Sequence, residues 1–181
     1  MNRNIAICIP LNGSLLRETE KLYKQLEKNF GLSFMKKKLC RPHINLCSGS
    51  TNNLSKLKKK VSQIKILKKN KKINYLGIGI FVSTKPSFYL RFSSEDILLK
   101  LRKEIFAHTD IWPKIQDTVK DNMWIPKISI IHNEISIKDI QFLKILKYIN
   151  EWSFKQKSFL VNEISINDFT DIEYEVISYK I

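Results

Sequence analysis

Apolar and polar positions along this chain alternate between two periods. The run IAICIPL, 5–11, reads as a strand ended by Asn12-Gly13. Leu15, Leu16, Thr19, Leu22, Tyr23, Leu26 and Phe30 then recur at helical spacing, with Ser14 as the expected N-cap and Gly31 as the expected stop. PHINLCS, 42–48, is a short strand. Leu54, Leu57, Val61, Ile64 and Leu67 make the stripe of a second helix whose other face carries lysines. INYLGIGIFVS and SFYLRFS flank the turn TKPS and predict a hairpin. A third helix starts at Ser94-Glu95-Asp96, where acidic residues suit the dipole, and runs through Ile97, Leu98, Leu101 and Ile105. After a looser stretch comes the strand WIPKISII, 124–131. Ser136 is expected to cap a fourth helix through Ile140, Leu143, Leu146 and Ile149, and two strands, KSFLVNEISINDF and EYEVISYKI, follow it.

The predicted order, β-α-β-α-β followed by β-α-β-α-β-β, is an approximate internal repeat within one domain spanning 1–181. In each half, the strand after the first helix carries one pattern, Pro42-His43-Ile44-Asn45 and then Pro126-Lys127-Ile128-Ser129. Strand geometry sends residues two apart to the same face, so His43 projects with Asn45 and Lys127 with Ser129. Polar side chains on otherwise apolar strands point to a solvated cleft or a ligand, because burying them unpaired is costly. An imidazole can move a proton near neutrality, an ammonium stabilises anionic oxygen, and amide and hydroxyl donors orient phosphoryl oxygens.

Composition sharpens this picture only in part. The formal net charge is +15, yet 27 of the 32 basic residues are Lys, and Ile and Asn are plentiful, as an AT-rich genome would produce unselected. The charge permits an anionic substrate without identifying it. Cys8, Cys40 and Cys47 lack metal-ligand spacing and read as reduced core thiols. No apolar run approaches the roughly 20 residues of a membrane span, so a soluble, cytoplasmic protein without a membrane partner is expected.

With their flanks, RPHINLCSG and WIPKISII resemble the two signature strands of the 2H phosphoesterase family, which read His-x-(Thr/Ser) twice, often with Trp-x-Pro before the second His. The family includes RNA 2′,3′-cyclic phosphodiesterases, 2′-5′ RNA ligase-like proteins and viral enzymes that degrade 2′-5′ oligoadenylates or cyclic oligonucleotides. The resemblance implies a bilobal α+β fold of duplicated units, with antiparallel sheets around a central cleft. It also implies metal-independent chemistry on a phosphodiester, without a cofactor, one His acting as base and the other as acid. By position, His43 is the first catalytic histidine, Asn45 replaces its hydroxyl partner, Lys127 replaces the second histidine and Ser129 keeps its hydroxyl. An amide at position 45 can still donate to phosphate. Lysine, with a reference pKa of about 10.4, keeps a cation for phosphate but matches proton shuttling less well. Losing a general acid costs about 10²- to 10⁴-fold, so slow turnover is compatible with the motif.

The implied ligand is an RNA end, a 2′,3′-cyclic phosphate, or a small 2′-5′ or cyclic oligonucleotide, immune second messengers among them, met by a monomer. The alternatives are a catalytically impaired protein that sequesters RNA or nucleotides, and a scaffold whose cleft has decayed. Around the tetrads, Arg41 is a candidate anion contact or a surface arginine. Tyr89 and Arg91 share a hairpin face suited to stacking and phosphate. Trp124 matches the family tryptophan as a cleft wall or a packing residue. His132 falls on the opposite strand face from Lys127, which favours a surface role, and His108 lies near a helix C-terminus where a cation suits the dipole.

Overall fold

The first apolar run forms β1 (Arg3–Pro10), and a computed structural model sets it in the middle of a sheet, where Ile5 to Pro10 are buried on both faces. The structure describes residues 2–32, 41–64, 71–82, 86–93, 96–108, 112–113, 124–131, 139–170 and 175–180, with 108, 112–113, 139–140 and 175–180 described by backbone alone. After β1 come α1 (Gly13–Phe30), β2 (His43–Thr51), α2 (Leu54–Ser62), β3 (Lys71–Phe81), β4 (Ser87–Phe92) and α3 (Asp96–His108). They are followed by β5 (Trp112–Pro113), β6 (Lys127–Ile131), α4 (Asp139–Glu151), β7 (Ser158–Val161), β8 (Glu163–Asp168) and β9 (Glu175–Lys180).

The strands form two antiparallel sheets, ordered β5-β2-β1-β8-β9 and β6-β4-β3-β7, which is the expected α+β class. Each sheet draws strands from both halves of the sequence. β2 and β6, the two motif strands, meet where the sheets adjoin. Ile5, Ile7 and Ile9 of β1 join Leu15, Leu22 and Leu26 of α1, Phe88, Leu90 and Phe92 of β4, and Leu98, Leu101 and Ile105 of α3 in one continuous core. That burial is the main driving force, and it leaves the opposite sheet faces for polar side chains.

Several local expectations change. Ser14 does not cap α1: Asn12 occupies that position, in extended conformation without a side-chain cap bond. The Ser14 hydroxyl instead bonds Gln156 Oε1, and the Asn12 amide donates to the Leu160 carbonyl at 2.7 Å and to Asn162 Oδ1 at 3.0 Å. Gly31 does end the helix, with φ 68° and its N–H on the Glu27 carbonyl at 2.9 Å. KSFLVNEISINDF is two strands in different sheets: the apolar core positions change parity, from Phe159 and Val161 to Ile164 and Ile166, and the chain crosses at Asn162. On α4, Leu143 is 65% exposed, and Ile145 and Ile149 carry the buried face with Phe142 and Leu146 packed beside them. The short β5 lies inside the stretch read as loose. Cys8 and Cys47 are buried free thiols. Cys40, Leu67, Ser94, Glu95, His132 and Ser136 lie outside the described residues.

Candidate functional site

The first motif strand owes its polar row to a bulge. In the β1–β2 ladder, Ile7 pairs with Cys47 and Cys8 with Asn45, so Leu46 is an extra residue. Leu46 and Cys47 are both buried, and the half-buried positions pass from 43 and 45 to 48 and 50. The bulge thereby brings His43, Asn45, Ser48 and Ser50 onto one face, where strict alternation would have turned Ser48 and Ser50 away. The Asn45 amide donates to Ser48 Oγ, while Asn45 Oδ1 is buried without a hydrogen-bond partner among the described residues. Register puts Cys8 and Ser165 beside Asn45, and Ala6 and Asn167 beside Ser48, so this face is lined by small and polar side chains.

His43 is half-buried, with Nδ1 2.9 Å from the Arg41 carbonyl oxygen. A carbonyl only accepts, so this contact places a proton on Nδ1, and in the neutral ring the lone pair then lies on Nε2, the form a general base requires. The Arg41 side chain is engaged: Nε donates to the Leu11 carbonyl at 2.6 Å, and the guanidinium pairs with Glu163 at 3.2 Å. In this arrangement Arg41 fixes the entry into β2.

The second motif strand pairs with β4, setting Lys127 opposite Arg91 and Ser129 opposite Tyr89. β4 in turn sets Arg91 against Gly77 and Tyr89 against Gly79. Lys127, Ser129, Tyr89 and Arg91 therefore share the face opposite the buried Phe88, Leu90 and Ile128. Gly77, with φ 123°, follows the extra residue Leu76 in a bend that side chains rarely adopt. Tyr89 and Phe81 stack with centroids 4.7 Å apart, and Lys127 Nζ lies 4.5 Å from the Phe81 ring centre and 5.8 Å from that of Tyr89.

Both motif strands are braced from the other half of the chain. Tyr23 of α1 donates its hydroxyl to the Ser129 carbonyl at 2.7 Å. Arg102 of α3, 1% exposed, donates to the carbonyl of the bulged Leu46. Its guanidinium lies 4.8 Å from the Phe106 ring centre and 5.2 Å from that of Trp124. Trp124 thus packs on the brace of the first motif strand. Tyr75 lies between Phe92 and Phe154, and burial pushes its phenol up to about 12. Among the described residues no group of three or more His, Cys, Asp or Glu side chains is placed to hold a metal, and no helix is long and apolar enough to cross a membrane.

Sequence reasoning did not single out Ser48, Phe81 or Arg102. The bulge that recruits Ser48 has no mark in HINLCS beyond an uninterrupted Leu46-Cys47 pair. Arg102 did leave a signal, since it alone of the three basic residues between Leu98 and Ile105 falls at core spacing with them. Gly77 and Gly79, alternating within a strand, marked a close approach.

No protein-family model matches the sequence, and a search of curated proteins finds no match. Solved structures do match. The chain is similar to E. coli LigT complexed with phosphate, at 11% identity and a TM-score of 0.55, over 99% of this chain and 95% of that one. LigT complexed with 3′-AMP matches at 11% identity and a TM-score of 0.55, over 98% and 95% of the two chains. Kluyveromyces marxianus Usb1 is 13% identical with a TM-score of 0.54, over 99% of this chain and 97% of its own. At these identities the likeness establishes the fold, a LigT-like pair of antiparallel sheets flanked by helices, as the resemblance of the signature strands implies.

Proposed function

We propose that the paired polar strands form a metal-independent 2H-type site for a phosphodiester, borne by an RNA end, a 2′,3′-cyclic phosphate, or a small 2′-5′ or cyclic oligonucleotide. The observation that carries this reading is the Arg41 carbonyl on His43 Nδ1, which in the neutral ring leaves Nε2 with the lone pair, on a strand whose half-buried face is otherwise small and polar. His43 takes or returns a proton. Lys127 supplies positive charge to the phosphoryl oxygens or stands in for the acid, and Ser129 and the Asn45–Ser48 pair provide donors. Arg91, exposed on the same face as Lys127, suits a second phosphate contact, while Tyr89, 7% exposed and stacked on Phe81, serves as a wall and not as a platform for a base. The matched LigT structures hold phosphate, ATP and 3′-AMP, ligands of the size and charge this reading calls for.

A second reading, capture of RNA or a nucleotide without turnover, is favoured by the Lys127 ammonium lying over aromatic rings. Charge held in this way serves binding more readily than proton exchange. Mass-spectrometric turnover of 2′,3′-cyclic nucleotides, 2′-5′ oligoadenylate and cyclic dinucleotides separates the two. The parent, His43→Ala and Lys127→His are run side by side. Cleavage by the parent that disappears in His43→Ala establishes a working site. A silent parent that gains turnover in Lys127→His identifies a binding protein. A panel on which no variant binds or cleaves anything overturns both.

A further inference from the structure

The aromatic pair on β3 and β4 is not required by either motif strand. Phe81 is 41% exposed, at the end of its strand, where an apolar ring has little core to fill. Gly79 lies opposite Tyr89, and a Cβ added there would collide with Cζ, Cε2 and the hydroxyl of the tyrosine. The ring occupies the space that any other residue at 79 would fill, and there it stacks on Phe81 with 30° between the planes. Lys127 starts on β6, and β4 lies between that strand and β3. Its side chain therefore spans β4 to bring Nζ within 4.5 Å of one ring centre and 5.8 Å of the other. Both distances lie within the range over which a ring quadrupole attracts an ammonium.

We infer that Phe81 and Tyr89 form an aromatic seat that positions the Lys127 ammonium as a fixed cation for an anionic group of the ligand. This rests on the phosphate-binding reading of the same site. A lysine has a flexible four-carbon stem and three N–H donors. Ring faces restrain the stem through the ammonium's charge and not through an N–H···O bond, so the seat fixes the cation without a hydrogen bond of its own. Restraint before binding removes part of the ordering cost that a free lysine incurs when the ligand arrives. Gly79 is the enabling residue, because only hydrogen at that position lets Tyr89 lie flat beside Phe81. Arg91, opposite Lys127 and exposed, adds a second cation to the same face.

The test uses the full chain with inorganic phosphate as the probe, because phosphate has no base to stack on Phe81. Side-chain NMR of Lys127, assigned through Lys127→Arg, is recorded for the parent, Phe81→Leu, Phe81→Trp and Gly79→Ala, and phosphate is then titrated into each. In the free parent the terminal methylene and ammonium protons are expected upfield through ring currents. The shift collapses in Phe81→Leu and Gly79→Ala and survives in Phe81→Trp. Phosphate binding weakens about 3- to 10-fold in the first two variants and recovers in the third. An unshifted parent signal overturns the seat. So does Phe81→Leu binding phosphate as well as the parent or better, since the rings would then compete with the ligand. A shifted signal in a parent that binds no phosphate leaves the ring contact in place and refutes both the positioning role and the phosphate-binding reading. Binding that requires Lys127 but is indifferent to Phe81 refutes the seat alone.

Discussion

Arg102→Met removes the brace of the first motif strand while keeping much of its volume. The guanidinium is 1% exposed and donates to the Leu46 carbonyl at the bulge. Methionine cannot donate, so a buried carbonyl loses that donor at a cost of about 1–3 kcal/mol. The contacts with Phe106 and Trp124, at 4.8 and 5.2 Å, are worth about 0.5–1 kcal/mol each. Relief from burying a cation offsets part of this, since apolar replacements of buried charges are often well tolerated. The net expectation is a loss of about 2 kcal/mol, which for a domain of this size lowers Tm by about 4–8 °C. Urea unfolding measures the loss directly, and Tyr23→Phe serves as a comparison. That variant removes one hydroxyl donor from the Ser129 carbonyl and should cost about 0.5–1.5 kcal/mol. Because the bulge puts Ser48 in phase with His43, Arg102→Met should also weaken phosphate binding, measured well below its melting temperature. A variant as stable as the parent would refute the bracing argument. Lost stability with unchanged phosphate binding would sever the brace from the site.

Two further outcomes follow from the polar contacts. Burial pushes the Asp168 carboxyl up, but hydrogen bonds from Arg3 and Thr170, together with the Arg3 charge, outweigh it and hold the group below its ordinary 3.8. A depressed carboxylate stabilises the fold fully above the unfolded-state pKa, and that contribution fades as pH falls through the lower folded value. The Tm gap between the parent and Asp168→Asn should thus be widest at neutral pH and shrink below about pH 4, and a gap constant from pH 7 to 2 would sink the assignment. A double-mutant cycle with Asn45→Ala and Ser48→Ala should show about 1 kcal/mol of coupling, because either single change deprives a partner that the double change removes. Additive losses would mean that the two side chains act independently.

Much of the fold was legible because its strands and helices announce themselves by period. β1, α1 and the β3–β4 hairpin follow from spacing and from Asn12-Gly13, Gly31 and TKPS. What spacing does not carry is which sheet a strand joins. β7 and β8 read as one strand since both alternate, and the change of parity between Val161 and Ile164 marks the crossing only once the core is known. The Ser14 cap failed for a related reason. Ser14 is a good N-cap by type, but Gln156, far along the chain, claims its hydroxyl, and no local rule sees such a partner. On the site, period two was enough to pair His43 with Asn45 and Lys127 with Ser129. Hairpin alternation also paired Tyr89 with Arg91. The bulge at Leu46, the reach of Lys127 across β4 and the cross-braces from Tyr23 and Arg102 are tertiary facts.

On the proposed reading, whether the cleft is in use or has decayed turns on Asn45 and Lys127. A decayed position is a polar residue left to solvent, with neighbours indifferent to its identity. Neither residue has that form. Asn45 bonds a serine that reaches the face only because the strand bulges at Leu46, and that bulge is held by a buried arginine. Lys127 rests against a ring pair whose packing depends on a residue without Cβ at 79. Bulges and close-packed glycines weaken a sheet, so their place beside these two residues supports the reading of a site kept for ligands. Gly79→Ala is the sharpest discriminator. In a decayed cleft the added methyl simply moves Tyr89, at no cost to any binding. In a retained one it disperses the Lys127 charge and weakens phosphate binding along with the ring-current shift.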